Sequence, residues 1–147
     1  NFAFREDGIV IVYDYGGVKL LSNDIVQHFK ALIQASRQQN IADIEQHLIA
    51  LHALTEAGKF PETLYKEWLE VLLRPLITQY DFVENSAHHD GMALLKPSLK
   101  YWDLFKPSPD TLMVNRTISG HYWNMIHLKM NDDLTDLFDE ILPPLAQ

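Results

Sequence analysis

Two side chains near the start of the sequence have the types and the spacing to hold a hard cation. Asn1 opens the run Asn1-Phe-Ala-Phe-Arg-Glu-Asp-Gly-Ile-Val-Ile-Val-Tyr-Asp14-Tyr15-Gly16, and Asp14 lies near its end. Between them, Asp7-Gly8 is a turn signal flanked by β-branched and aromatic residues, so the segment reads as a hairpin. With Asp7 and Gly8 as a two-residue loop, Glu6 faces Ile9, Phe4 faces Ile11, Phe2 faces Tyr13, and Asn1 falls opposite Asp14. Directly opposed residues hold their Cβ atoms about 4.5–5.5 Å apart on one face. Two oxygen-bearing side chains at that separation can share Mg²⁺. A three-residue loop would shift the pairing by one residue.

The layout resembles the metal-binding end of a protein-kinase fold, where a catalytic-loop Asn and the Asp of a D-F-G motif hold Mg²⁺ on nucleotide phosphates. Asp14-Tyr15-Gly16 reads as a D-Y-G version of that motif. The stretch from Asn1 to Ser22 is similar to the segment following the His-Pro-Gly-Asn element of the UbiB/AarF family of atypical kinase-like proteins. Arg116-Thr-Ile-Ser-Gly120-His-Tyr-Trp123 is similar to an Arg-Thr-x-x-Gly-x-Tyr segment of the same family. Between the two blocks, Asp24 to about Tyr80 matches in order and helical texture without a sharp motif.

The resemblance implies Mg²⁺ and ATP as cofactors, with Asn1 and Asp14 as metal ligands and Asn1, Asp14 and Gly16 as the cofactor-binding residues. It implies a catalytic Asp about five residues before Asn1. It also implies an N-terminal lobe carrying a nucleotide-contacting Lys with its Glu partner, and a Lys-x-Gly-Gln segment. None of these is in the sequence, which therefore reads as the C-terminal part of a kinase-like lobe, inactive on its own. The implied role of the parent protein is ATPase or phosphotransferase chemistry supporting ubiquinone biosynthesis. It would act in the cytoplasm or, in a bacterium, peripherally on the cytoplasmic side of a membrane. Its implied partners are nucleotide, the N-terminal lobe, and membrane or quinone-synthesis components. The alternative is a non-catalytic helical interaction domain in which the hairpin is structural and Asp14 caps the following turn.

Bulk properties suit one domain. The 147 residues are 47% hydrophobic, enough for a sizeable core and too apolar for general disorder. A formal net charge of −8 disfavours nucleic acid, whose phosphates need a basic surface. Cysteine is absent, which closes disulfide and thiolate chemistry. No signal peptide and no apolar run of membrane-spanning length is present.

The elements that must position the hairpin read as helices. The expected architecture is mainly α: a hairpin over residues 1–20, helices over 22–80, a long loop over 81–108 and C-terminal helices over 109–147, together a C-lobe-like fragment. Ser22-Asn23-Asp24 caps a helix carrying Ile25, Val26, Phe29, Leu32 and Ile33, fading near Gln38. Asn40 caps a second helix that should end near Gly58 and pack against the first as an antiparallel hairpin. Pro61 opens a third, kinked or ended by Pro75. Residues 81–108 are broken by Asn85, Gly91, Pro97 and Pro107, but Phe82, Leu94, Leu95, Tyr101, Trp102 and Phe105 anchor them. Ser108-Pro109-Asp110 starts a fourth helix to about Met130, with Gly120 inside it for close packing. Asn131-Asp132-Asp133 caps a last one. Both hairpin faces are apolar, Phe2, Phe4, Ile11 and Tyr13 on one and Ala3, Val10 and Val12 on the other. They need cover from helices, the absent lobe or a homodimer.

The remaining chemistry is thin. Seven histidines include no His-x-x-x-His helical pair, and His47 and His52 diverge by about 500° around a helix. His88-His89-Asp90 reads as a solvated polar turn before it reads as a chelator; His121 and His127 read as helix-surface or packed side chains. No serine stands in a Gly-x-Ser-x-Gly elbow, and Gly16-Gly17 lacks the rest of a phosphate loop. Trp68 and Trp123 read as core anchors. Arg116 reads as a buried ion pair ahead of an exposed helix face, and Arg74 as a partner for carbonyls freed at Pro75. Asp132, Asp133, Asp136, Asp139 and Glu140 read as a solvated helix face.

Overall fold

The computed structural model describes residues 2–14, 17–85 and 87–142. Strands β1 (Phe2–Phe4) and β2 (Val10–Val12) are followed by α1 (Asn23–Arg37), α2 (Ile41–Ala50) and α3 (Glu62–Ile77). Then come β3 (Gln79–Asp81), α4 (Ala87–Ser98), a 3-10 turn over Leu99–Leu104, α5 (Pro109–His127), β4 (Asn131–Asp133) and α6 (Thr135–Ile141). The architecture is mainly helical with two small antiparallel ribbons, β1–β2 and β3–β4. Among the described residues no helix is long and apolar enough to cross a membrane.

Helix starts obey local chemistry. Ser22 Oγ accepts from Ile25 N, Asn40 Oδ1 from Asp43 N, and Ser108 Oγ from Thr111 N, each satisfying a backbone donor that the first turn leaves open. α1 and α5 end about where expected, and α2 ends early. α1, α2 and α5 all stop on a non-glycine residue in the left-handed region: Gln39 (φ 55°), His52 (φ 56°) and Lys129 (φ 52°). In each, the next residue's N–H bonds back five positions: Asn40 to Ala35 O, Ala53 to Leu48 O, and Met130 to Met125 O. These bonds take up carbonyls that the last turn leaves free. So α2 ends at Ala50 rather than near Gly58. Gly58 instead sits in the following turn, where its N–H donates to Glu45 Oε2 at 2.8 Å.

α1 and α2 pack against each other across the connection of residues 38–40, and α3 carries the two halves of the interior. One cluster joins Ala35, Ile44, Phe60, Tyr65 and Leu69, with Phe60 edge-on to Tyr65, Tyr101 and Phe105. The other joins Val71, Tyr80, Phe82 and Ala87, with Tyr122 and Met125 against it. Pro75 is buried within α3, which continues to Ile77.

Residues 81–108 are not a long loop. Most of them form α4 and the 3-10 turn, despite Gly91 and Pro97 inside the helix. Tertiary contacts override weak propensity here: Leu94 packs on the second cluster and Trp68 Nε1 donates to Ser98 Oγ at 2.9 Å. Phe82 is buried as expected, whereas Trp102 is 70% exposed. The loop before α3 is tied to this region by Thr55 N to Leu104 O and Lys106 N to Ala53 O around a Leu54–Phe105 bridge. Asn131–Asp133 is a strand paired with β3, not a helix start; the N-cap of α6 is Leu134, and Asp133 Oδ1 accepts from Thr135 N at 2.9 Å in the turn before the helix.

Gly120 meets nothing where a Cβ would stand, so close packing is not its reason. Arg116 is exposed, because its stretch of α5 faces outward; the expected buried ion pair is not formed. Arg74 bonds Asp90 Oδ2 at 2.9 Å and approaches Glu70 rather than the carbonyls near Pro75, since α4 brings a carboxylate within its reach.

Candidate functional site

The hairpin closes through a three-residue loop. Arg5 O accepts from Gly8 N, Arg5 N donates to Ile9 O, and Gly8 takes φ 83°, the left-handed position of such a loop. Asp7 Oδ1 accepts from Ile9 N at 3.3 Å and its carboxylate pairs with Arg5 at 2.6 Å. The register is therefore Phe2 opposite Val12, Ala3 opposite Ile11 and Phe4 opposite Val10. This replaces the expected facing of Phe2 with Tyr13 and of Phe4 with Ile11. The apolar faces regroup as Phe2, Phe4, Val10 and Val12 on one side and Ala3 and Ile11 on the other.

Asp14 lies two residues beyond β2 and is exposed. Asn1 and Gly16, the other two site residues, lie outside the described residues, so their approach to Asp14 is not on view. The shift of register removes the direct cross-strand argument for Asn1 opposite Asp14, because that argument required Phe2 opposite Tyr13. From Gly17 the chain runs along α5. Lys19 pairs with Asp110, and Gly17, Lys19, Leu21, Met113, Thr117 and Ile118 border a shallow hollow of about 210 Å³. The Phe2 ring lies 5.6 Å from that of His121, so α5 supports both ends of the segment that presents Asp14.

Other polar clusters carry chemistry that the sequence did not announce. Tyr80, 1% exposed, donates from its hydroxyl to Asn85 O at 3.1 Å, accepts from Ala87 N at 3.3 Å, and lies 3.4 Å from the Tyr122 hydroxyl. The His88 ring lies tilted against those of His89 and Trp123, with its Nδ1 buried and unpartnered. His88-His89-Asp90 thus belongs to the first turn of α4 rather than to a loop. Trp123 is half exposed instead of a core anchor. His28 and His47 place their Nδ1 atoms 3.1 Å apart, joining α1 to α2, and Asp24 stands 3.8 Å from His28 Nε2. A 19-residue separation on two helices leaves no local spacing signal for that pair. Among the described residues no group of three or more His, Cys, Asp or Glu side chains is placed to hold a metal ion.

Burial, then the neighbouring Tyr80 hydroxyl, pushes the Tyr122 phenol well above its ordinary range. Burial, then the charge of Glu45, does the same to Tyr65. An unfolded tyrosine ionises near pH 10. Above that pH the folded chain keeps two protons that the unfolded chain has lost, so stability is intact below about pH 10 and falls as the pH rises further. Urea midpoints measured between about pH 8 and pH 11 should drop for the native chain. The combined Tyr65→Phe and Tyr122→Phe variant should show a flatter profile; an equally steep one would assign the loss to other groups.

Comparison with family models, with curated proteins and with solved structures returned no match.

Proposed function

We propose that this chain is the C-lobe portion of an atypical kinase-like ATPase or phosphotransferase, similar to the UbiB/AarF family and supporting ubiquinone biosynthesis. Asp14 would hold Mg²⁺ on the nucleotide phosphates, with Asn1 and Gly16 completing the nucleotide site. The observation that supports the reading most is the setting of Asp14: an exposed carboxylate just past the second strand of a tight hairpin, ahead of a mainly helical body. Phosphoryl transfer asks the protein mainly for positioning and charge neutralisation. A carboxylate at a supported strand end would position Mg²⁺, and the cation would supply the charge neutralisation, without a general base in this segment. The catalytic Asp and the nucleotide-contacting Lys of this reading belong to the parent protein.

A second reading, a helical interaction domain, draws on the apolar side chains that the hairpin leaves in solvent: Phe2, Phe4 and Val10 are each 40% exposed or more. Asp14→Asn in the full-length parent protein separates the two. In the kinase-like reading it leaves the melting temperature within about 1 °C, a surface-level effect, and removes Mg²⁺-dependent nucleotide binding and turnover. Full retention of nucleotide dependence would overturn that reading in favour of the interaction domain.

A further inference from the structure

α4 and the 3-10 turn leave four large apolar side chains in solvent: Met92, Leu95, Leu99 and Trp102. Their spacing of three, four and three residues places them on one stripe. Lys96 and Lys100, both exposed, each follow a stripe leucine by one residue and so stand on one flank, Lys100 with its Nζ 5.9 Å from the Tyr101 ring centre, while Asp103 holds the same offset beside Trp102 at the far end. In a chain of net charge −8 this is a local inversion of sign.

α6 carries the complementary pattern. Leu137 and Ile141, 53% and 58% exposed, stack one turn apart, and Asp136 and Glu140, both exposed, each precede one of them by one residue. The other side of α6 is turned inward, where Asp139 bonds Arg37 at 2.6 Å. The acidic flank of α6 therefore lies on the opposite side of its apolar pair from the basic flank of α4. Parallel helices packed face to face bring opposite flanks together, as the g and e positions of a parallel coiled coil do. Laid parallel on the stripe, Leu137 and Ile141 meet Leu95 and Leu99 while Asp136 and Glu140 come beside Lys96 and Lys100. The repeat along the two helices is about 6 Å on each where both are α-helical.

We propose that the α4 stripe of one molecule receives the α6 face of a second copy of this chain. The two patches differ, so reciprocal contacts close a two-fold dimer and a single contact per molecule builds an open chain. With so few residues on each side, against about 20–30 a side in a standard interface, the association falls in the weak, concentration-dependent class. It is independent of the nucleotide reading, since it uses neither Asp14 nor the hairpin.

Sedimentation velocity over a concentration series tests the contact. The native chain should show a weight-average sedimentation coefficient that rises with concentration. Raising salt from about 0.05 M to about 1 M shortens the Debye length to about 3 Å and should weaken the association several-fold. K96E/K100E and D136K/E140K should each sediment as monomers with unchanged melting temperatures. Mixing the two should restore association, because each then offers the partner charge that the other requires. A native chain that stays monomeric throughout, variants that associate like the native chain, or a mixture that fails to associate would each overturn the proposal. So would a native chain that stays monomeric yet co-sediments with vesicles of anionic phospholipid in a manner lost in K96E/K100E, which would assign the stripe to a membrane surface.

Discussion

Tyr80→Ala is expected to lower the unfolding free energy by about 3–5 kcal/mol, the range for removing a large buried aromatic side chain. Tyr80 is the least exposed of the large core side chains, its ring stands edge-on to Phe82 at 4.8 Å, and its hydroxyl holds the turn into α4 from both sides. Truncation leaves a cavity and strips partners from Asn85 O and Ala87 N, and buried groups left without partners carry their own penalty. Against a total of about 5–15 kcal/mol for a domain, that is a large fraction, visible as a fall of roughly 10–15 °C in melting temperature. Tyr80→Phe separates the two contributions: it keeps the ring and should lose about 1–3 kcal/mol. Urea titration of both variants is the measurement. A Tyr80→Ala loss below about 1 kcal/mol, the average for any substitution, would mean that the second cluster does not hold the domain together.

Phe60→Ala should cost a similar amount, about 3–5 kcal/mol, through the other cluster. Phe60 is 6% exposed and sits edge-on to three aromatic rings at 4.8, 5.4 and 5.1 Å. Each such pair adds about 0.5–1.5 kcal/mol beyond area burial. The ring also fastens the turn before α3 to the 3-10 segment, next to the Leu54–Phe105 bridge. Hydrogen exchange should therefore accelerate first at Thr55 and Lys106, whose N–H groups bond across that bridge. Because Phe60 and Tyr80 lie in different clusters, their costs should add within about 0.5 kcal/mol. A marked departure from additivity would show that α3 couples the clusters more tightly than their separate packing implies.

The parts of this fold that could be read from sequence are those written in local side-chain chemistry. Ser22, Asn40 and Ser108 announce helix starts because a cap is a contact within a few residues, and all three bonds form. The ends of α1 near Gln38 and of α5 near Met130 fall about where expected, whereas α2 stops at Ala50 because His52 takes the left-handed conformation for which glycine is the usual sign. The helix α4 was hidden by Gly91 and Pro97, and only contacts such as Trp68 with Ser98 reveal why it forms. β3 and β4 carry Gln-Tyr-Asp and Asn-Asp-Asp, with no alternation to betray a strand and a pairing that spans the chain between residues 79 and 133. At the candidate site the hairpin was legible and its register was not. A glycine in the left-handed position fits the second place of a two-residue loop and the third place of a three-residue one, and that single residue exchanges the partners of every side chain.

Among the described residues two long-range strand-type pairings, Leu54 with Phe105 and β3 with β4, join distant parts of the chain, which enters the second before it leaves the first. They are interlaced rather than nested. A single cut anywhere in residues 82–104 therefore leaves each fragment with one half of both pairings, so neither pairing can close within one fragment. The stretches on either side of residues 82–104 are in this sense woven, each supplying one partner to both pairings.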